Sequence, residues 1–253
     1  MIKKINSVLR ELKIQDKPIV VYSAIWPFVH VMKDNPQEFC DKLIEILQEN
    51  SETLFMPTFT DGFKDGICNL DTEKSTTGIL TEIFRQKNDV KRTISAFFSF
   101  GVYGKDANET AALRPKEAWG GGSLYEWFEH NDAQIITIGT HPTHCSFTHR
   151  AEWLTKDIIK YRYNKEFKGQ IISNKQTIDI TETLLVRNLD PSPRNDWKWA
   201  TNIFIKNGMN IIDVDGIQIS SMSAKTKMDI LVPMIKKDPL ILIENKEDFK
   251  DIN

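Results

Sequence analysis

Residues 145 to 153 read CSFTHRAEW and put a histidine, His149, three residues before a carboxylate, Glu152. If a helix begins near Ser146 to Thr148, the two side chains fall at i and i+3 on one face. A carboxylate there fixes the tautomer of the imidazole and favours its protonated form. Such a pair is suited to take a proton from an amine nucleophile at neutral pH. The same spacing also arises on a solvated helix N-terminus, and spacing alone favours that plainer reading. On a solvated helix the pair would add little stability, so Glu152→Gln would be felt in rate more than in folding.

The surrounding stretch, GTHPTHCSFTHRAEW, holds three of the five histidines (His141, His144 and His149) together with Cys145. Histidine and cysteine are zinc ligands, so a metal-assisted hydrolase has to be weighed. The spacing His141-x-x-His144 followed by His149 matches no usual zinc arrangement, and no second cluster elsewhere completes a ligand set. We therefore expect no metal. Cys145 lies four residues before His149 and invites a Cys-His nucleophile, but no third orienting group is evident. His141, His144 and Cys145 thus recede behind His149 and Glu152.

The pair needs a scaffold, and the apolar patterning supplies one. Ile2, Ile5, Val8, Leu9 and Leu12 share a helical stripe, IVVY (19–22) reads as a short buried strand, 37–48 as a helix and TLFMP (53–57) as a second strand. This β-α-β opening favours parallel strands with a right-handed crossover. A polar loop with two glycines follows, then helices over 77–86 and 123–129, the latter with Ser123 and Glu126 at capping-box spacing. AQIITIG (133–139) is the strongest strand signal, and it exits into the His149 loop, where α/β proteins place their sites. In the C-terminal third, 169–188 predicts two or three antiparallel strands with Asn174-Lys175 as a turn. A helix over 196–207, a hairpin turning at Asp215-Gly216 and a helix over 223–236 complete the pattern. The expectation is one compact α/β domain, residues 1–253. It has a central mixed sheet flanked by helices and an antiparallel β element in its C-terminal third.

Composition narrows the function classes. The 253 residues are 40% hydrophobic and 27% charged, with a net charge of −2, so no basic field invites nucleic acid or an anionic membrane. No window approaches the roughly 20 apolar residues of a membrane span, and no apolar signal region follows Met1. Three separated cysteines suggest reduced thiols, so a cytoplasmic location is expected.

Several pieces, taken in order, resemble the antibiotic N-acetyltransferase family, the aminoglycoside 3-N-acetyltransferases and their relatives. Tyr22-Ser23-Ala24-Ile25 resembles that family's early His-Ser-x-Leu stretch, and Met56-Pro57-Thr58-Phe59-Thr60 its Met-Pro-Thr-Phe-Thr. Gly78 to Arg85 with Arg92-Thr93 resembles its Gly-x-Leu-x-Glu-x-Phe-Arg and Arg-Ser stretches. ITIGTHPTHCSFTHRAEWL is similar to the strand and Asn-Thr-x-x-His-x-x-Glu segment that carries the catalytic histidine. Gly122-Ser123 and the late Asp213 to Ile217 stretch also fall in place, so the likeness covers most of the chain. Two departures stand out: Tyr22 replaces the early His, and 92–99 lacks the His-Pro of Arg-Ser-x-His-Pro-x-x-Ser.

The resemblance implies the family's own fold, distinct from the GNAT fold. It also implies direct transfer from acetyl-coenzyme A to a primary amine, with His149 as general base and Glu152 orienting it. It puts Ser23, Ala24, Ile25 and Ser99, Phe100, Gly101 near the cofactor arm. Arg92 is the residue we expect on a cofactor phosphate, and Thr58, Phe59, Asp61 and Thr148 are those expected on the acceptor. The tryptophans, Trp119 and Trp197 among them, read as packing and acceptor walls. An aminoglycoside is a polycation and calls for a strongly acidic site, whereas acids and bases nearly balance at 35 to 33. The loops near the site mix Asp61, Asp65 and Asp71 with Lys64, Lys74 and Arg150. The preferred acceptor is therefore an amino sugar linked to a nucleotide, as in surface-polysaccharide synthesis, with an aminoglycoside as the alternative. A homodimer is the expected assembly. A non-catalytic ligand-binding relative and the metal-dependent hydrolase stand behind these.

Overall fold

The computed structural model describes residues 1–32 and 35–250. Helix α1 (Ile2–Glu11) turns Ile5, Val8 and Leu9 inward and leads into β1 (Pro18–Ser23). Residues 18–22 of β1 are buried without alternation, as befits a strand covered on both faces. The short α2 (Val29–Met32) and long α3 (Pro36–Glu49) return the chain to β2 (Thr53–Pro57). The start of α3 is fixed by Asn35, whose side chain accepts from the Glu38 amide, and by Pro36 in the first turn, where its missing N–H loses nothing. Its Phe39, Leu43, Ile44 and Leu47 are buried, each contributing roughly 2 kcal/mol.

The chain continues through β3 (Ile67–Asn69), α4 (Ile79–Arg85), β4 (Lys91–Arg92), β5 (Phe100–Gly104), α5 (Ala107–Ala111), α6 (Leu124–His130) and β6 (Gln134–Ile138). Beyond lie α7 (Thr148–Leu154), the hairpin β7 (Arg162–Ser173) and β8 (Gln176–Arg187), and α8 (Trp197–Lys206). A second hairpin, β9 (Asn210–Val214) and β10 (Ile217–Ser223), precedes α9 (Ala224–Lys237).

Seven strands form a mixed sheet in the order β4-β5-β2-β1-β6-β10-β9, with β2, β1 and β6 parallel and the outer strands antiparallel. One face packs against α1, α3 and α4 through Leu9, Leu43, Leu47 and Phe84. The other packs against α6, α7 and α9 through Phe128, Ala151 and Leu231. The expected α/β domain is thus present, with its C-terminal third divided differently. The hairpin β9–β10 joins the central sheet against β6, turning on Asp215 and Gly216 at positive φ. The hairpin β7–β8 turns on Asn174 and Lys175, at φ 51 and 60, and builds a second sheet with β3. Its first strand starts at Arg162, earlier than the apolar pattern indicates, because residues 163–166 are exposed and carry no hydrophobic signal. Strand β5 went unread: its glycines at both 101 and 104 dilute the alternation that Phe100 and Val102 supply from inside the core.

The chain leaves β1 toward β2 on one side and later reaches β6 on the other, so the ends of these strands form a topological switch point, where open α/β sheets bind ligands. Gly139 closes β6 there at φ +66, and a Cβ at this position would lie 2.5 Å from the Ala24 carbonyl oxygen. Gly139→Ala is expected to lose about 1–2 kcal/mol from the left-handed backbone alone, with more from the contact, read as a lower urea midpoint; an unchanged midpoint would show that the two strand exits are not held this tightly.

Candidate active site

Helix α7 is not a solvated surface helix. Arg150, Ala151, Glu152 and Trp153 are all buried, and His149 enters from the first turn with its amide bonded to the Ser146 carbonyl. The Arg150 guanidinium reaches Glu129 at 3.0 Å and Glu126 at 3.2 Å on α6 and donates to the Trp119 carbonyl at 2.7 Å. Arg150 therefore locks α7 to α6 and does not belong to the acceptor's charge surroundings.

His149 Nδ1 and Glu152 Oε2 lie 2.6 Å apart. Glu152 is 1% exposed, and its other oxygen faces the Arg162 Nε at 2.9 Å across from the start of β7. That contact is ionic, without the alignment of a good hydrogen bond. Burial pushes the Glu152 carboxyl up, but Arg162 and His149 outweigh it and hold the group at about 2. The expectation that the pair is exposed and contributes little to folding is corrected: the carboxylate is an internal charge held between the Arg162 guanidinium and the His149 imidazole. The His149 ring also packs edge-on to Trp119, with centroids 5.2 Å apart.

A cavity of about 590 Å³ opens beside this pair at the ends of β1, β2 and β6. Of the residues singled out from sequence, Ser23, Ala24, Phe59, Thr148, His149 and Glu152 line it. The others lie elsewhere. Arg92 spends its guanidinium inside the protein: Nε lies 3.2 Å from Thr58 Oγ1 and 3.1 Å from Ser99 Oγ, and Nη1 donates to the Leu70 and Glu73 carbonyls at 2.8 Å each. Nη2 donates to the Thr58 carbonyl, and burial lowers the group to about 10. The guanidinium is thus engaged by the protein's own oxygens, outside the lining of the cavity beside His149. Thr58 and Ser99 are fully buried partners in that network. Phe100 is core, Gly101 packs under Phe84 and Val90, Ile25 is buried at the turn after β1, and Asp61 faces solvent. Asp71 accepts from the Asn174 and Lys175 amides.

Sequence reasoning missed much of the wall. Tyr22, Phe98, Thr76, Thr77 and Asn195 line the cavity from four separate segments, which no local spacing connects; Trp197, one of the tryptophans read as acceptor walls, lines it as well. His144 and Cys145, set aside earlier, also line it. His144 Nδ1 lies 3.1 Å from Thr140 Oγ1. Cys145 Sγ accepts from the ammonium of Lys227 at 3.3 Å, a lysine on α9 only 1% exposed. His141 is outside the lining; burial and then His144 lower its basicity. Among the described residues, no three His, Cys, Asp or Glu side chains gather to hold a metal, and no helix is long and apolar enough to cross a membrane. In the 92–99 segment the loop is held by the buried Glu182 of β8, which accepts from Ser95 Oγ at 2.5 Å and the Ala96 amide at 2.9 Å.

An α/β sheet with a cavity at its switch point and a paired histidine in the wall defines an enzyme that works on a bound small molecule. The family is given by comparison: the profile described as Aminoglycoside 3-N-acetyltransferase matches residues 27–236. The chain belongs to this family and is by class an N-acyltransferase. Similar solved structures include AAC-IIIb in a binary complex with CoASH, 13% identical with TM-score 0.76, covering 94% of this chain and 96% of that one. Sisomicin-bound AAC-VIa is 15% identical, TM-score 0.76, covering 93% and 97%. The YokD protein from Bacillus subtilis is 15% identical, TM-score 0.74, covering 94% of both chains. At these identities the likeness is one of fold. Among curated proteins no sequence match is found.

Glu152→Gln leaves Arg162, itself 9% exposed, as an uncompensated buried charge, and should destabilise the fold by about 3–5 kcal/mol at pH 7. The group sits below its usual 4.5, so the stability it gives is present above about 4.5 and drains as pH falls toward about 2. Chemical denaturation across that window should show a flatter acid dependence in the variant than in the parent. Equal slopes would mean that Glu152 is not ionised inside the fold.

Proposed function

We propose that the chain transfers an acetyl group from acetyl-coenzyme A to a primary amine of an amino sugar, directly and with His149 as general base. The carrying observation is the His149–Glu152 contact inside the cavity wall. A carboxylate at Nδ1 keeps the proton on that nitrogen and leaves the lone pair of Nε2 for the incoming amine. The amine nitrogen attacks the thioester carbonyl carbon as its proton passes to Nε2. The C–N bond forms, the C–S bond breaks, and the departing sulfur recovers the proton from the imidazolium. Such base catalysis supplies on the order of 10²- to 10⁴-fold in rate.

Acetyl-coenzyme A as donor is supported by the family and by the coenzyme bound in AAC-IIIb. Ser23 and Ala24 at the end of β1 are the wall residues we assign to its arm, with Phe59 and Thr148 on the acceptor side. An aminoglycoside is the acceptor the family description supports best, together with the sisomicin held by AAC-VIa. One observation favours a second reading: among the described residues the cavity lining contains a single carboxylate, Glu152, and both its oxygens are engaged. A polycation is recognised by free carboxylates, so this wall suits an acceptor with fewer charges, such as a nucleotide-linked amino sugar.

Thiol release from acetyl-coenzyme A, measured against a panel of aminoglycosides and nucleotide amino sugars, separates the two acceptors. His149→Ala should lose about 10²-fold or more in kcat with an unchanged circular dichroism spectrum. Near-normal turnover in that variant would remove the general base, and stoichiometric zinc in the purified protein would replace the transferase with a metal-assisted reaction.

A further inference from the structure

Three hydroxyls meet at the cavity wall. Ser146 Oγ lies 2.8 Å from the Tyr22 hydroxyl and 2.7 Å from that of Tyr125. Tyr22 and Ser146 line the cavity, whereas Tyr125 does not and is 1% exposed. Three hydroxyls carry three protons, and two contacts consume two. One O–H is therefore left over. A phenol is the stronger donor and the poorer acceptor, since its lone pairs are drawn into the ring, while a serine oxygen accepts two bonds readily. Burial above all raises both tyrosines, so each stays protonated and able to donate. With both phenols donating to Ser146, which lines the cavity, the serine proton is the one left over.

We propose that Ser146, polarised by Tyr22 and Tyr125, donates its hydroxyl proton in a hydrogen bond to the thioester carbonyl oxygen as negative charge develops there. Ser146 lies one helical turn before His149, and its carbonyl receives the His149 amide at 3.1 Å, so donor and base are set by one piece of backbone. Two accepted bonds strengthen the third that the same hydroxyl donates. A preorganised donor is most effective when it meets charge that appears only in the transition state. Tyr22 and Tyr125 are positioning residues in this arrangement. Tyr22 stands where the family stretch has histidine, which ties this hydroxyl chain to this sequence.

The inference rests on acetyl-coenzyme A as donor. Ser146→Ala should lower kcat about 10²-fold, with little change in KM for acetyl-coenzyme A and equal losses for acceptors of different amine basicity, because the donor acts on the thioester. Ser146→Thr should restore most of the rate, and Tyr22→Phe should lower kcat about 5-fold. The carbonyl stretch of ¹³C-labelled acetyl-coenzyme A, read by infrared difference spectroscopy, should fall on binding to the parent and return toward its free value in Ser146→Ala. If the ligand binds and turns over but the variant matches the parent in kcat and carbonyl frequency, the role of Ser146 is overturned and the transfer reaction stands. If calorimetry shows no binding of acetyl-coenzyme A to the parent, the donor assignment falls and takes this inference with it.

Discussion

The Glu152 carboxylate, sealed from water between His149 and Arg162, is the interaction on which the rest of this structure depends. A lone carboxylate at such depth would take up a proton. This one stays charged because the Arg162 guanidinium approaches one oxygen from the start of β7 while the His149 imidazole meets the other from its own helix. The consequence is geometric as well as electrostatic. Arg162 fixes where the second sheet begins relative to α7, and the imidazole is held by its Nδ1 in the cavity wall. An imidazole tied to a buried charge cannot drift without exposing that charge to apolar surroundings.

Buried arginines do the same work at two further places. Arg150 fastens α7 to α6 through two carboxylates and a carbonyl, and Arg92 gathers the loop carbonyls of Thr58, Leu70 and Glu73. Each guanidinium has five donors in a rigid plane, enough to satisfy several backbone acceptors that no strand or helix would reach. The irregular segments around the cavity are thereby kept in place by charge-assisted bonds, while the sheet supplies the floor. Arg92 joins β4 to the loops following β2, so the cavity wall carrying Phe59, Thr76 and Thr77 is braced from behind.

The two positions where this chain departs from the pattern it resembles each make contacts of their own. Tyr22 in place of histidine brings a hydroxyl to Ser146. The segment without His-Pro is anchored by Glu182 from β8, a carboxyl that burial raises despite its bonds from the Ser95 hydroxyl and the Ala96 amide. The second sheet thus supports the loop that carries Phe98 into the cavity.

The sequence by itself determined the parallel strands at the centre, the hairpin turns at Asn174-Lys175 and Asp215-Gly216, and the pairing of His149 with Glu152. All of these are local: apolar runs, turn residues that tolerate positive φ, and an i,i+3 spacing are written within a few positions. It left open whether α7 is solvated, because the residues that bury it, from Trp119 and Glu126 to Arg162, come from distant segments. It could not tell that Arg92, Ser99, Phe100 and Gly101 lie outside the cavity lining, because an arginine or a small residue in a loop looks the same whether it faces a ligand or its own backbone. Only the tertiary structure decided those cases, since burial and the choice of partner for a long polar side chain depend on which elements the sheet brings together.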